Sequence, residues 1–179
     1  MFHIANLKNE VAEGNFISIA RAISSIENEA LGIDEFLSTL TPSSIPVIGI
    51  TGPPGAGKST LISALIGKYI LQNKKVAVIS VDPSSIKHKG ALLGDRIRMK
   101  DWYLHPSVYI RSLASRLHLG GLVKSIHKIT QFLKSVGFDI VILETVGVGQ
   151  SEVEVASVAD VTLLVLVPEA GDDIQMMKS

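Results

Sequence analysis

Residues 47–66 read Val47-Ile48-Gly49-Ile50-Thr51-Gly52-Pro53-Pro54-Gly55-Ala56-Gly57-Lys58-Ser59-Thr60-Leu61-Ile62-Ser63-Ala64-Leu65-Ile66. Three signals meet in this stretch. Val47 to Thr51 is a short, mostly apolar run that ends at a Gly/Pro turn, the pattern of a buried strand. Thr60 to Ile66 reads as a helix. Between them, Gly52, Pro53, Pro54, Gly55, Ala56, Gly57, Lys58 and Ser59 complete the pattern G-x-x-x-x-G-K-[ST]. Strand, glycine loop and helix in that order aim backbone N–H groups at an anion. Such a loop cradles phosphates, with Lys58 on the β/γ oxygens and the Ser59 hydroxyl offered to Mg²⁺.

The chain around this loop has 179 residues, enough for one domain with a real core. Hydrophobic residues make up 46% and charged residues 19%, which suits buried strands and excludes disorder as the ground state. Seventeen basic and seventeen acidic residues cancel, so no global field draws the chain to nucleic acid or to an anionic membrane. Cysteine is absent, which removes disulfides, thiolate metal sites and cysteine nucleophiles. The five histidines show no ligand spacing. The N-terminal residues lack a signal-peptide core, and the longest apolar run, Val161 to Val167, is too short to span a bilayer. These features predict a cytoplasmic protein.

From Val47 onward strand and helix patterns alternate. Strands are predicted at 47–51, 76–81, 107–111, 139–143 and 161–167. Helices are predicted at 58–71, 121–135, 90–101 and 151–158. Several strands are continuous apolar runs, as expected where helices cover both sheet faces. The fold class expected is α/β: a doubly wound, mostly parallel sheet that binds phosphates at its strand C-termini. Before it, Ile19, Ala22, Ile23, Ile26 and Ala30 recur at helical spacing, predicting an amphipathic helix of about 15 residues. A shorter helix is expected at 34–40, followed by a Pro/Ser linker at 41–46. The organisation read from the sequence is a helical N-terminal extension over 1–46 and a P-loop domain over 47–179.

A phosphate loop needs carboxylates to hold its metal. The strand Asp139-Ile140-Val141-Ile142-Leu143 runs into Glu144, at the position of a Walker-B acid, with glutamate where aspartate is more usual. Gly147 follows three residues later, the spacing at which switch GTPases sense a γ-phosphate through a backbone N–H. A second strand ends in Asp82-Pro83-Ser84-Ser85, which places Asp82 at the sheet edge near the metal or simply starts a turn. Asp95 and Arg98 lie in Gly94-Asp95-Arg96-Ile97-Arg98. Asp95 could contact Mg²⁺ or position water, or the two could form a surface ion pair.

Together, Gly52–Thr60, Asp82-Pro83-Ser84-Ser85, Gly94-Asp95 through Arg98-Met99, the run Glu144-Thr145-Val146-Gly147-Val148-Gly149-Gln150-Ser151-Glu152 and Pro168 to Gln175 resemble the MeaB/ArgK family of P-loop GTPases. That family assists adenosylcobalamin-dependent methylmalonyl-CoA mutase and earlier carried the label of lysine/arginine/ornithine transport ATPases. The resemblance covers nearly all of residues 7–179. It implies GTP or GDP bound through the loop and Thr60, an acidic shell of Asp82, Asp95 and Glu144 around Mg²⁺ held by Ser59, and catalysis resting on Lys58, Asp95 and Glu144. It implies switch segments at 83–95, 147–155 and 168–178, and a mutase partner. The family also continues past residue 179 into an Asn-Lys-x-Asp guanine-reading motif and dimerising helices, and this sequence contains no such motif. The expectation is therefore a C-terminally truncated family member, lacking the part through which the family forms homodimers. Ser115 to Gly121 and Lys87-His88-Lys89-Gly90 depart from the small and Gly-rich residues expected there. Two other functions compete: an ATPase or kinase linked to amino-acid transport, and a non-catalytic partner-binding module. A nickel-insertion GTPase would carry a Cys/His cluster that this chain lacks.

Overall fold

Five strands pair into one parallel sheet in the order β3-β2-β4-β1-β5, with β1 Val47–Thr51, β2 Val76–Asp82, β3 Val108–Ala114, β4 Ile140–Thr145 and β5 Val161–Leu164. The computed structural model describes residues 4–82, 99–114, 121–145 and 150–167. Its helices are α1 Ile4–Ala12, α2 Phe16–Glu27, α3 Ile33–Ser38, α4 Lys58–Leu71, α5 Gly121–Lys134 and α6 Gln150–Val158.

Side chains alternate across a strand, and the core divides accordingly. On one face, Ile50, Val76, Val78, Val108, Ile140 and Ile142 pack with Ile62 and Ile66 of α4 and with Met99. On the other, Val47, Ala77, Ile79, Val141 and Leu143 meet residues of α1, α2, α3, α5 and Val155 of α6. Gly49 permits the close approach of α6, since a Cβ there would stand 3.1 Å from Val155 Cγ1, Ala159 Cβ and Thr162 Oγ1.

The N-terminal helices are anchored to the sheet through polar links as well as apolar ones. Asn15 caps α2, its side chain accepting from the N–H groups of Ile17 and Ser18 at 3.0 and 3.1 Å. Arg111 of β3 donates to the Ala20 carbonyl at 2.8 Å, to Ser24 Oγ at 3.0 Å and to Glu27 Oε2 at 2.5 Å. The edge strand β5 pairs with β1 yet leaves Val161, Leu163 and Leu164 exposed. No helix among the described residues is long and apolar enough to cross a membrane.

The predicted strands and helices match these elements to within a few residues, with three differences. Helix α1 was not expected, because its apolar stripe is thin; Leu7 and Val11 are its buried apolar residues among the described side chains. The helix expected at 90–101 lies outside the described residues except at its end, where 99–101 form turns. Strand β5 stops at Leu164 instead of Val167.

Candidate functional site

Strand β1 delivers the phosphate loop. Its last residue, Thr51, is buried, and the Thr51 carbonyl accepts the Val165 N–H at 2.8 Å. The chain then swings away at Gly52, with φ at 141°, and a Cβ there would stand 2.0 Å from the Val165 carbonyl oxygen. The first glycine of the motif is thus required by a close backbone approach. The loop closes through the Ala56 N–H donating to the Pro53 carbonyl at 3.2 Å, and α4 begins at Lys58. Gly57 is the N-cap and supplies no side-chain acceptor, so the N–H groups of the first turn, which no helical carbonyl satisfies, face the loop without a capping side chain.

Lys58 is buried and curls back over the loop, its ammonium donating to the Gly52 carbonyl at 2.6 Å and to the Pro53 carbonyl at 3.0 Å. One residue on, Ser59 Oγ donates to Glu144 Oε1 at 3.1 Å, and Ser80 Oγ donates to Glu144 Oε2 at 3.2 Å. Glu144 is only 4% exposed, and a buried carboxylate needs such donors to offset its lost hydration. The sheet register explains the convergence. Strand β4 lies between β1 and β2, with Glu144 opposite Ile50 on one side and Ser80 on the other. Glu144 shares the face of Ile140 and Ile142, the face that α4 covers. The Ser59 hydroxyl and the Glu144 carboxylate are hard oxygen donors side by side, the kind of donor set that Mg²⁺ takes together with phosphate oxygens and water. Among the described residues no group of three or more His, Asp or Glu could hold a metal by itself.

The opposite face of the same strand ends carries a second cluster. Thr145 Oγ1 donates to Thr51 Oγ1 at 3.0 Å, and Thr51 Oγ1 donates to Glu152 Oε1 of α6 at 3.1 Å.

Of the residues expected to act, Lys58, Ser59 and Glu144 come together at the C-terminal ends of β1 and β4. Pro53, Pro54, Gly55, Ala56 and Gly57 form the loop, and Thr60 is exposed in the first turn of α4. Asp82 closes β2 two residues after Ser80, and its side chain is outside what the structure describes. Asp95 and Gly147 also lie outside the described residues. Ser80, Thr51, Thr145 and Glu152 were not anticipated as a polar network. Ser80 and Glu144 are each a polar residue near the end of an apolar strand, and that pattern is visible in the sequence. The pairing of β2 with β4 that makes it meaningful is not.

The family model described as "Methylmalonyl Co-A mutase-associated GTPase MeaB" matches residues 19–179. The chain belongs to the MeaB family. A relative in Pyrococcus abyssi, with the word GTPase in its name, is 43% identical over 178 residues, covering 98% of this chain and 55% of its own length. A Caenorhabditis elegans protein named "Methylmalonic aciduria type A homolog, mitochondrial" is 44% identical over 133 residues, 73% of this chain and 33% of that protein. A crystal structure described as an LAO/AO transport system kinase superposes with a TM-score of 0.70 at 29% identity, covering 98% of this chain and 53% of the other. The chain therefore spans about half the length of the Pyrococcus abyssi relative and of the crystallised protein, and it has the P-loop α/β fold of the latter.

Proposed function

We propose that this protein binds GTP with Mg²⁺ and hydrolyses it to GDP and phosphate, and that the nucleotide cycle serves as a chaperone switch for an adenosylcobalamin-dependent mutase of the methylmalonyl-CoA type. The observation that carries the nucleotide reading is the 3.1 Å Ser59–Glu144 pair at the mouth of a complete phosphate loop, in a chain of the MeaB family. Lys58 leaves its two loop carbonyls to meet the β/γ oxygens, where its ammonium faces a full negative charge in place of a carbonyl dipole. Ser59 and Glu144, with Asp82 and Asp95, would hold Mg²⁺, which when bound would neutralise charge on the phosphates. Water attacks the γ-phosphorus, the bond from the β–γ bridging oxygen to the γ-phosphorus breaks, GDP leaves with the electron pair, and the water proton ends on phosphate. The residues supply position and charge, with no covalent nucleophile. Gly147 and the segments 83–95, 147–155 and 168–178 respond to the γ-phosphate and present it to the mutase. Guanine preference, the mutase partner and a homodimeric family assembly rest on the family alone. A cytoplasmic setting and the division into a helical extension over 1–46 and a nucleotide domain over 47–179 rest on the sequence pattern.

Titration with fluorescent GDP and ADP in the presence of Mg²⁺ tests the reading. A preference for GDP that Lys58→Ala abolishes is the expected result. A preference for ADP moves the protein to ATPase or kinase chemistry, and binding of neither removes the nucleotide function from this chain. Co-purification with a cobalamin-dependent mutase, and protection of that mutase from inactivation, test the partner.

A further inference from the structure

Strand β4 ends in two residues that face opposite sides of the sheet. Glu144 meets Ser59 of the loop helix, while Thr145 meets Thr51 on the side of α6. Thr51 is the residue immediately before the phosphate loop, and its hydroxyl reaches Glu152 in the first turn of α6. A hydroxyl has one proton to give and an ionised carboxylate only accepts, so the direction of this relay is fixed. Thr145 donates to Thr51, and Thr51 donates to Glu152. Both hydroxyls are buried, and each would be costly to leave unpaired. Glu152 is also well placed electrostatically, as an acidic residue at a helix N-terminus. The chain between Thr145 and Glu152 thus has both ends tied to the residue from which the loop departs.

We infer that Glu152 is a positioning residue for hydrolysis: through Thr51 and Thr145 it fixes where the phosphate loop leaves β1 relative to the strand end that carries Glu144. This rests on the GTPase reading above. Without the relay, the β1–β4 backbone pairing persists up to Ile50 opposite Glu144, but the side-chain link at Thr51, where the loop that carries the phosphates departs, is lost. The transition state, which needs that loop and the Glu144 carboxylate in register, suffers more than the bound diphosphate does.

The test measures single-turnover GTP hydrolysis, GDP affinity and melting temperature for the protein and three variants. Glu152→Ala and the isosteric Thr51→Val each lower the hydrolysis rate about tenfold, the scale of a small misplacement at a reacting centre, while GDP affinity changes less than about threefold. The double variant is no slower than either single one, because both break the same link. Glu152→Gln, which keeps an acceptor oxygen, recovers most of the loss. If the variants melt earlier but hydrolyse at the unmodified rate, the relay is only structural and the inference falls. It also falls if Glu152→Gln is as slow as Glu152→Ala, since charge and not the hydroxyl relay is then at work. Should Glu152→Ala not fold, Thr51→Val carries the same reading. If the unmodified protein neither binds GDP nor turns over GTP, the GTPase reading itself fails and takes the inference with it.

Discussion

Ser59 Oγ and Glu144 Oε1 stand 3.1 Å apart, joining the first turn of the loop helix to the end of the strand beside it. Ser80 donates to the second carboxylate oxygen at 3.2 Å. Ser59→Ala and Glu144→Gln should therefore weaken Mg²⁺-dependent nucleotide binding together. Each loses more than about tenfold in affinity, the equivalent of one charge-assisted hydrogen bond of about 1.5–3 kcal/mol. The double variant should lose less than the sum of the two, which a titration of GDP at fixed Mg²⁺ would read.

Gly52 and Gly55 share a motif but not a constraint. A Cβ at Gly52 collides with the Val165 carbonyl, whereas at Gly55 it meets nothing within 4 Å and only the φ of 80° opposes it. Gly52→Ala should cost about 3 kcal/mol or more by combining strain with a backbone displacement. Gly55→Ala should cost about 1–2 kcal/mol from the left-handed conformation alone. Denaturant unfolding of the two variants would separate them.

Glu154 of α6 is buried, and its Oε2 has no hydrogen-bond partner among the described residues. Burial pushes its carboxyl above the usual carboxylate range. The unfolded chain then releases this proton at lower pH than the folded one, so stability falls as pH rises from the ordinary glutamate pKa through the raised folded value. Glu154→Gln should melt higher than the unmodified protein at neutral pH. The difference should vanish once pH drops below the ordinary glutamate range. Thermal melts across the acid range would show the convergence.

Trp102 is the sole tryptophan in the sequence, and its indole N–H donates to Ser63 Oγ of α4 at 2.8 Å. Its ring also lies against Gly67, where an added Cβ would come to 3.3 Å from Cζ2. The helix that begins at the phosphate loop therefore carries its own reporter. Nucleotide binding should shift the intrinsic fluorescence of the protein. Ser63→Ala should change the emission of the free protein and cost about 1 kcal/mol of stability.

Much of this arrangement was legible before any coordinates. The loop motif places Lys58 and Ser59, and an apolar run ending in an acid places Glu144, because both rest on local patterns with strict spacing. The helix 58–71 and the strand 47–51 carry the boundaries expected of them. What resists local reading is whatever depends on strand order. Ser80 and Thr145 are ordinary strand residues until β4 is known to sit between β1 and β2, and Glu152 is an ordinary helix-start acid until α6 is known to lie over Thr51. Helix α1 escaped for a different reason, since a nine-residue helix leaves room for little periodic signal. The shortening of β5 follows from where its pairing stops, at Thr51 opposite Leu164.

Strand β1 has a history written into the sheet order. Its two neighbours, β4 and β5, come much later in the chain, and the Val47 N–H is held by Asp160, 113 residues further on. As the polypeptide emerges from the ribosome, β1 waits without a partner while β2 and β3 can already pair with each other. For that interval its apolar residues and unpaired N–H groups are open to the wrong strand, and the distant closure makes folding slow. The phosphate loop that β1 carries is translated early, and the strands that anchor it on both sides follow only with β4 and β5.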